Sequence, residues 1–371
     1  MGYIGSRGIN LSYNVTLQDI ADALNLSRNT VSKVLNGHSN VPDSTRDKVL
    51  AQAMKMNYKR LSYSLLENRG SNSPKEIMLL TKLGSLQLSF WTLVLQGIAE
   101  KLSQQGYELK LTALAREDLE HCRLPAGISG RTAGFICADT FPLPFLNALQ
   151  EKKLPAVLID APPELREQPS VFDIVMMENR DSVRRLTNFL IKERGHRRIG
   201  FIGNPGACIS NLDRYLGFQD AMSAAGLSVD PGCCLLEEHS AKYRDIPQAQ
   251  SHGAGGFSNR FSSAFHEWLS AQLDGLSSLP TAFVCASDSL AIETVQVLKD
   301  KGIKIPDEIA VVGFGDVPEA VIIEPNLTTV HTPKIPLGAQ VAEELIWRLG
   351  HPDSPVKFVF LQTELKVRAS A

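Results

Sequence analysis

No stretch of this 371-residue chain contains the roughly 18 consecutive apolar residues that a membrane-crossing helix needs, so no membrane partner is expected. The opening MGYIGSRGINLSYN lacks an apolar core followed by a cleavage site; it is expected to be a disordered lead-in rather than a secretory leader. The six cysteines (Cys122, Cys137, Cys208, Cys233, Cys234, Cys285) form no C-x-x-C pair and have no histidine at metal-ligand spacing. Neither a disulfide framework nor a metal site is expected, and a reducing cytoplasm is the compartment these absences suggest. Cys137 and Cys285 sit in apolar runs and read as core, while the vicinal Cys233–Cys234 reads as plain strand or turn more readily than as a redox pair. Catalytic signatures are missing too. There is no G-x-S-x-G and no G-x-x-x-x-G-K, GFGDVPEA does not fit G-x-G-x-x-G, and the eight histidines are scattered. An α/β enzyme with an accessory head stays open as an alternative, but nothing in these motifs supports one, and no cofactor is expected.

Ordinary composition accompanies these absences: 43% hydrophobic and 21% charged residues, as in a water-soluble globular protein. The length exceeds one compact core, so two or three domains are expected. The net charge of −2 is unevenly placed. Residues 1–70 carry nine Lys and Arg against five Asp and Glu, and the acidic excess lies in the remainder. A small basic head on an acidic body suits a nucleic-acid arm joined to a regulatory core. The head's charge is modest, so a single head should bind weakly and two would be required.

The most informative segment is 15–36, VTLQDIADALNLSRNTVSKVLN. Thr16 is a good N-cap for a helix over 17–24, with Asp19 in the first turn favouring its N-terminus. Leu17, Ile20, Ala21 and Leu24 recur at three and four residues and form one apolar face. Asn25 breaks the helix, because asparagine tolerates positive φ better than other non-glycine residues. Leu26 anchors the turn and Ser27 caps a second helix over 28–35. There Val31, Val34 and Leu35 point inward, while Arg28, Asn29, Ser32 and Lys33 point outward. Arg and Lys can donate to guanine O6 and N7, and Asn can pair with adenine N6 and N7. Thr16, Ser27, Thr30, Ser32, Asn36 and Asn40 can donate to phosphates, which set register without reading sequence. The competing interpretation is a small helical bundle with a solvated polar face. A third helix is expected over 43–56, with Val49, Leu50, Ala53 and Met54 turned inward.

The blocks at 16–21, 26–36 and 41–49, with VPDSTRDKVLAQAMKMNY following, resemble the DNA-binding headpiece of the LacI/GalR family of bacterial repressors. The resemblance runs about 45 residues without a gap. It implies a domain at 15–57 in which Arg28, Asn29 and Lys33 read bases while Ser27, Thr30, Ser32, Asn36 and Asn40 grip phosphates, with Thr16 and Leu17 also at the DNA. The family's usual turn glycine is Asn25 here, and Leu26 replaces a usual valine. The linker at 58–74 matches the family's hinge pattern only at Asn57–Tyr58. Arg60, Leu61, Ser64 and Glu67 depart from it. Leu65 or Leu66 would be the minor-groove wedge after a shift in register, and a flexible linker remains the rival.

From Glu76 onward, short apolar runs alternate with amphipathic stretches. EIMLLTKL, YELKLTAL, AGFICAD and PAVLID are expected as buried strands, separated by helices at 88–105, 117–124 and 143–153. RRIGFIG, TAFVCAS and IAVVGFG form a second set, with helices at 212–225, 260–273 and 290–301. This alternation implies parallel sheets with right-handed crossovers, hence two doubly wound lobes over 75–371. Crossings between lobes are expected at 173–177 and 327–331. A last helix at 335–349 and a strand at 356–360 are expected to return to the first lobe. LPAVLID, KERGHRRIGFIGNP, RYLGFQDAM, LPTAFVCASDSLA, GIKIPDEIAVVGFGD and PNLTTVHTP resemble the same family's effector core, which is similar to periplasmic sugar-binding proteins. Departures are Gly315 in the usual G-F-D-D motif, Ser287 in the usual N-D pair, an insertion at 237–257, and KLGSLQLSFW after the first strand.

The resemblance places Arg214 and Asp288 at strand ends facing a cleft, where a guanidinium and a carboxylate can clamp a polyol or an anion. A structural salt bridge is the alternative. Phe90 and Trp91 are candidates for stacking on a ring, or else for core or dimer contacts. Asp160 is a ligand contact or a helix N-cap. His196-Arg197-Arg198 reads as a surface turn entering a strand rather than an anion site. Together the expectations are a cytoplasmic regulator, a homodimer on a pseudo-palindromic operator, and a small-molecule effector, such as a sugar or related metabolite. Induction, co-repression and activation stay open. No heptad tail follows the last helix, so a coiled-coil tetramer is not expected.

Overall fold

The computed structural model describes residues 15–35, 41–56, 75–83, 89–167, 170–236 and 263–371. They fall into two compact units, 1–73 and 74–371.

The first unit is a three-helix head: α1 (Leu17–Leu24), α2 (Arg28–Leu35) and α3 (Asp43–Lys55). Its core is Ile20, Ala21, Val31, Val34, Leu35, Val41, Val49 and Ala53, with Leu17, Leu24 and Leu26 half-buried around them. Leu17, Ile20, Ala21 and Leu24 thus form the apolar face that their spacing implies. The side chains of Leu50 and Met54 lie outside the described residues.

The second unit carries two six-stranded sheets. Lobe 1 contains β1 (Glu76–Lys82), α4 (Ser89–Gln104), β2 (Glu108–Leu114), α5 (Arg116–Glu120), β3 (Thr132–Ala138), α6 (Leu143–Gln150), β4 (Ala156–Ile159) and β5 (Asp173–Met177). Lobe 2 contains α7 (Arg180–Lys192), β6 (Ile199–Gly203), α8 (Ile209–Ala224), β7 (Leu235–Leu236), α9 (Ser263–Asp274), β8 (Ala282–Cys285), α10 (Asp288–Asp300), β9 (Ala310–Gly315) and β10 (Thr328–His331). The chain then returns to lobe 1 through α11 (Lys334–Gly350) and β11 (Phe358–Leu361), and ends with β12 (Glu364–Lys366) in lobe 2. Strand order is β11-β5-β4-β3-β1-β2 in lobe 1 and β12-β10-β9-β8-β6-β7 in lobe 2. Every pairing is parallel except β10 with β12. Three crossings therefore join the lobes: after β5, after β10 and after β11.

Two expectations need correction. YELKLTAL was expected to be a buried strand, yet β2 occupies the sheet edge and leaves Leu111 47% exposed. Apolar content alone does not separate an edge strand from a central one. The helix expected at 117–124 is only Arg116–Glu120, because Cys122 adopts φ 50 and turns the chain. Cys137 and Cys285 are core, as expected.

In lobe 1, α4 and α11 pack at closest approach. A Cβ on Gly97 would stand 2.0 Å from the Ile335 carbonyl oxygen, and one on Gly338 would stand 2.0 Å from that of Val94. Arg348 of α11 makes a two-bond pair with buried Asp173, Nε and Nη2 each 2.6 Å from a carboxylate oxygen. The same Asp173 accepts the Lys357 amide at 2.8 Å, which ties β11 to the start of the crossing strand β5.

Candidate DNA-reading head and interlobe cleft

Thr16 and Asp19 form a reciprocal capping box at the start of α1. The Thr16 amide donates to Asp19 Oδ2 at 2.7 Å and the Asp19 amide to Thr16 Oγ1 at 3.3 Å. The Thr16 amide first, and then the Thr16 hydroxyl, which donates to the same Oδ2 at 2.8 Å, hold the Asp19 carboxyl below its usual pKa. Asn25 closes α1 in the left-handed region at φ 55, ψ 43. Ser27 caps α2 by accepting the Thr30 amide at 3.0 Å, and the two hydroxyls share a 2.8 Å bond. Because Val31, Val34 and Leu35 are buried, helical periodicity turns Arg28, Asn29 and Lys33 to solvent, with Ser32 half-buried beside them. Thr16 is exposed, and Leu17 and Thr30 are half-buried. Asn36, Asn40, Leu65 and Leu66 lie outside the described residues.

The carboxyl ends of the strands in both lobes meet at a cleft, where ligands of open parallel sheets sit. Three aspartates occupy such ends in left-handed backbone: Asp139 after β3 (φ 133), Asp160 after β4 (φ 67) and Asp316 after β9 (φ 53). Arg214 and Asp288 are close enough to interact electrostatically, but both are carried by helices rather than strand ends. Arg214 belongs to the second turn of α8. Its Nε donates to Asn179 Oδ1 at 2.9 Å, its Nη1 to the Ala286 carbonyl at 2.6 Å, and its plane lies 3.8 Å over the Phe314 ring. Among the described residues Nη2 has no bond, and it is not a sealed, unsatisfied atom. Burial lowers the guanidinium pKa, against the pull of Cys208, Asp160 and Asp288.

Asp288 opens α10 and is 1% exposed. Its Oδ1 accepts the Thr329 hydroxyl at 2.5 Å and its Oδ2 the Val317 amide at 2.9 Å. Burial pushes its pKa up to about 6 in spite of those bonds. Both oxygens are thus committed to the turn after β9 and to β10. That turn is also held by Asp316, which accepts from Arg368 at 2.6 Å and pairs with His331 Nδ1 at 2.8 Å. The Lys334 ammonium, buried at the start of α11, donates to the Gly315 and Asp316 carbonyls.

Asp160 accepts the amide of Ser210, in α8 of the other lobe, at 3.2 Å, as well as its neighbour Ala161 at 2.7 Å. Phe90 and Trp91 meet edge to face, ring centroids 5.2 Å apart. Phe90 packs against the cores of both lobes, and its neighbour Ser89 donates to Glu319 of lobe 2 at 2.9 Å. Sequence reasoning passed over Asn179, Phe314, Lys82 and Asp139. Asn179 orients Arg214 and also donates to Ser210 Oγ at 3.1 Å, while Lys82 pairs with Asp139 at 3.3 Å. Phe314 lies within the G-F-G-D block, Asn179 follows the first crossing, and Lys82 and Asp139 meet because they stand at the ends of the neighbouring strands β1 and β3. His196, Arg197 and Arg198 form an irregular, partly exposed segment that leads into β6.

Residues 16–60 match the family described as bacterial regulatory proteins, lacI family, and residues 190–371 match a periplasmic binding protein-like domain. The chain is 30% identical to the HTH-type transcriptional regulator CelR of Thermobifida fusca over 368 residues, spanning 96% of this chain and 98% of the relative. It is 29% identical to GanR of Bacillus subtilis (strain 168), another HTH-type transcriptional regulator, with 96% and 99% covered. A solved complex of the transcriptional regulator CelR with cellobiose superposes with a TM-score of 0.65 at 25% identity, covering 96% of this chain and 100% of that one.

Proposed function

Because this chain belongs to the lacI family of bacterial regulatory proteins, we propose that it is a cytoplasmic transcriptional repressor that binds a pseudo-palindromic operator as a homodimer and responds to a neutral sugar in the interlobe cleft. The observation that carries the DNA half is the row Arg28, Asn29 and Lys33, exposed on a short helix whose opposite face is locked into the head's core. Such a helix enters the major groove, with capped Thr16 and Ser27 at the phosphates. Two heads on a two-fold axis answer the weak charge of one.

The cleft supports an uncharged polyol over an anion. Lys82 stands beside Asp139, and Arg368 beside Asp316. Arg214 has Asp160 and Asp288 near it. An anionic effector would meet these carboxylates, whereas sugar hydroxyls can both accept from Arg214 Nη2 and donate to aspartates. We assign Arg214 the principal contact, with Asp160, Phe90 and Trp91 around it. Asp288 acts indirectly, by shaping the turn that carries Asp316. The relative solved with cellobiose makes that disaccharide the first effector to try.

The test is fluorescence polarisation on a duplex selected by the full-length protein from a random pool. Cellobiose, other neutral mono- and disaccharides, sugar phosphates and nucleobases are titrated in. A neutral sugar should change duplex affinity by about 5–150-fold, the usual range of allosteric coupling. A response confined to sugar phosphates or nucleobases would refute the effector class. Failure to enrich any duplex would refute the operator.

A further inference from the structure

The first turn of an α-helix leaves its amides without intrahelical partners. In α8, two of these amides are satisfied from the opposite lobe. The Ile209 amide donates to the Ala161 carbonyl at 2.8 Å, and the Ser210 amide to Asp160 Oδ1 at 3.2 Å. The Ile209 side chain, 1% exposed, is packed in the core of lobe 1, among the apolar residues around β4 and β5. Beside them Arg166, in the 3-10 turn Pro163–Arg166 of lobe 1, bonds Asp213 of α8 at 2.5 Å. The Asp213 carboxylate is buried while Arg166 is 37% exposed at its side chain. Burial raises the Asp213 pKa, and Arg166 opposes the rise.

We propose that these four contacts form a clasp by which the chain's own groups hold the two lobes together, and that the Arg166–Asp213 ion pair is its releasable element. Cys208 caps α8 by accepting the Asn211 amide, lobe 1 takes up the Ile209 and Ser210 amides, and its carboxylate complements the positive end of the helix. Separating the lobes would expose Ile209, orphan two amides and leave Asp213 without its counter-charge. Contact between the lobes is then favoured by the chain itself, and an effector shifts that balance. A ligand that needs the cleft open must break the clasp; one that spans the same surfaces reinforces it. The proposal rests on contacts between lobes alone and stands whichever effector the cleft accepts.

Hydrogen exchange of the full-length protein, read at residue level by mass spectrometry, tests it. The Ile209 and Ser210 amides are protected only while the clasp is shut, whereas amides at 217–222 in the same helix are protected by the helix itself. Arg166→Ala should speed exchange at Ile209 and Ser210 about fivefold, Arg166→Glu should speed it further, and 217–222 should not change. Arg166→Lys, which keeps the charge, should stay close to the parent protein. Unchanged exchange at Ile209 and Ser210 in both Arg166→Ala and Arg166→Glu would overturn the proposal. So would acceleration spread evenly along α8, which would mean that the pair only stabilises the helix. Arg166 lies at the surface, so these variants should fold.

Discussion

Replacing Asp288 by Asn removes a charge from one of the most enclosed carboxylates in lobe 2 while keeping its shape. In the native protein the pKa of Asp288 stands at about 6, against an ordinary 3.8, because burial outweighs the Thr329 hydroxyl and the Val317 amide. A carboxyl whose pKa is raised by folding holds its proton more tightly in the folded state. Its contribution to stability is therefore complete below the unfolded pKa and is lost as pH rises through about 6. Between pH 5 and pH 8 that loss amounts to about 1.5 kcal/mol, at 1.36 kcal/mol per pKa unit. Asn can still accept the Val317 amide and turn its NH2 toward Thr329 Oγ1, so both partners stay bonded. Urea unfolding of the parent and Asp288→Asn proteins at pH 5, 6, 7 and 8 checks this. The stability of the variant relative to the parent should climb with pH by that amount. Differencing the two proteins cancels every other titrating group. A difference that is flat with pH would show that Asp288 is not the group that titrates, and would remove the argument from burial.

Lys33→Ala should cost about 1–3 kcal/mol on the preferred duplex and relax base choice, with little change on random DNA; equal losses on both would make Lys33 a phosphate contact, and competition binding measures it. Arg348→Met leaves the carboxylate of Asp173 buried and without its ion-pair partner, so unfolding stability should fall by about 3–5 kcal/mol; a loss below about 1 kcal/mol would mean that water or Lys357 takes over the charge.

Much of the molecule was visible in its residues because each local signal agreed with its tertiary setting. Thr16, Asn25 and Ser27 punctuate the head as their chemistry demands. The apolar runs at 76–82 and 310–315 are central strands because β-rich segments of that length, alternating with helices, have few other solutions. The cleft was less legible. Arg214 could be singled out, but not its grip on Asn179 and Ala286, which come from a crossing and from the end of β8. In sequence, Asp160 reads as a ligand contact or an N-cap. It caps a helix fifty residues away in the other lobe, a relationship no local pattern encodes. For Asp288 the family resemblance implies a clamp at a strand end facing the cleft, with a structural salt bridge as the alternative. The partners that occupy both its oxygens, Thr329 and Val317, are distant in sequence.

Both sheets are finished by the tail of the chain: β11 closes one edge of lobe 1, and β12 one edge of lobe 2. Neither lobe can therefore complete its hydrogen bonding until the ribosome has made residues 358–366, whereas the head's core, among the described residues, draws on 15–56. During translation the head should mature first, while the two-lobed unit is still a nascent chain. For that interval each polysome would display finished heads ahead of unfinished lobes.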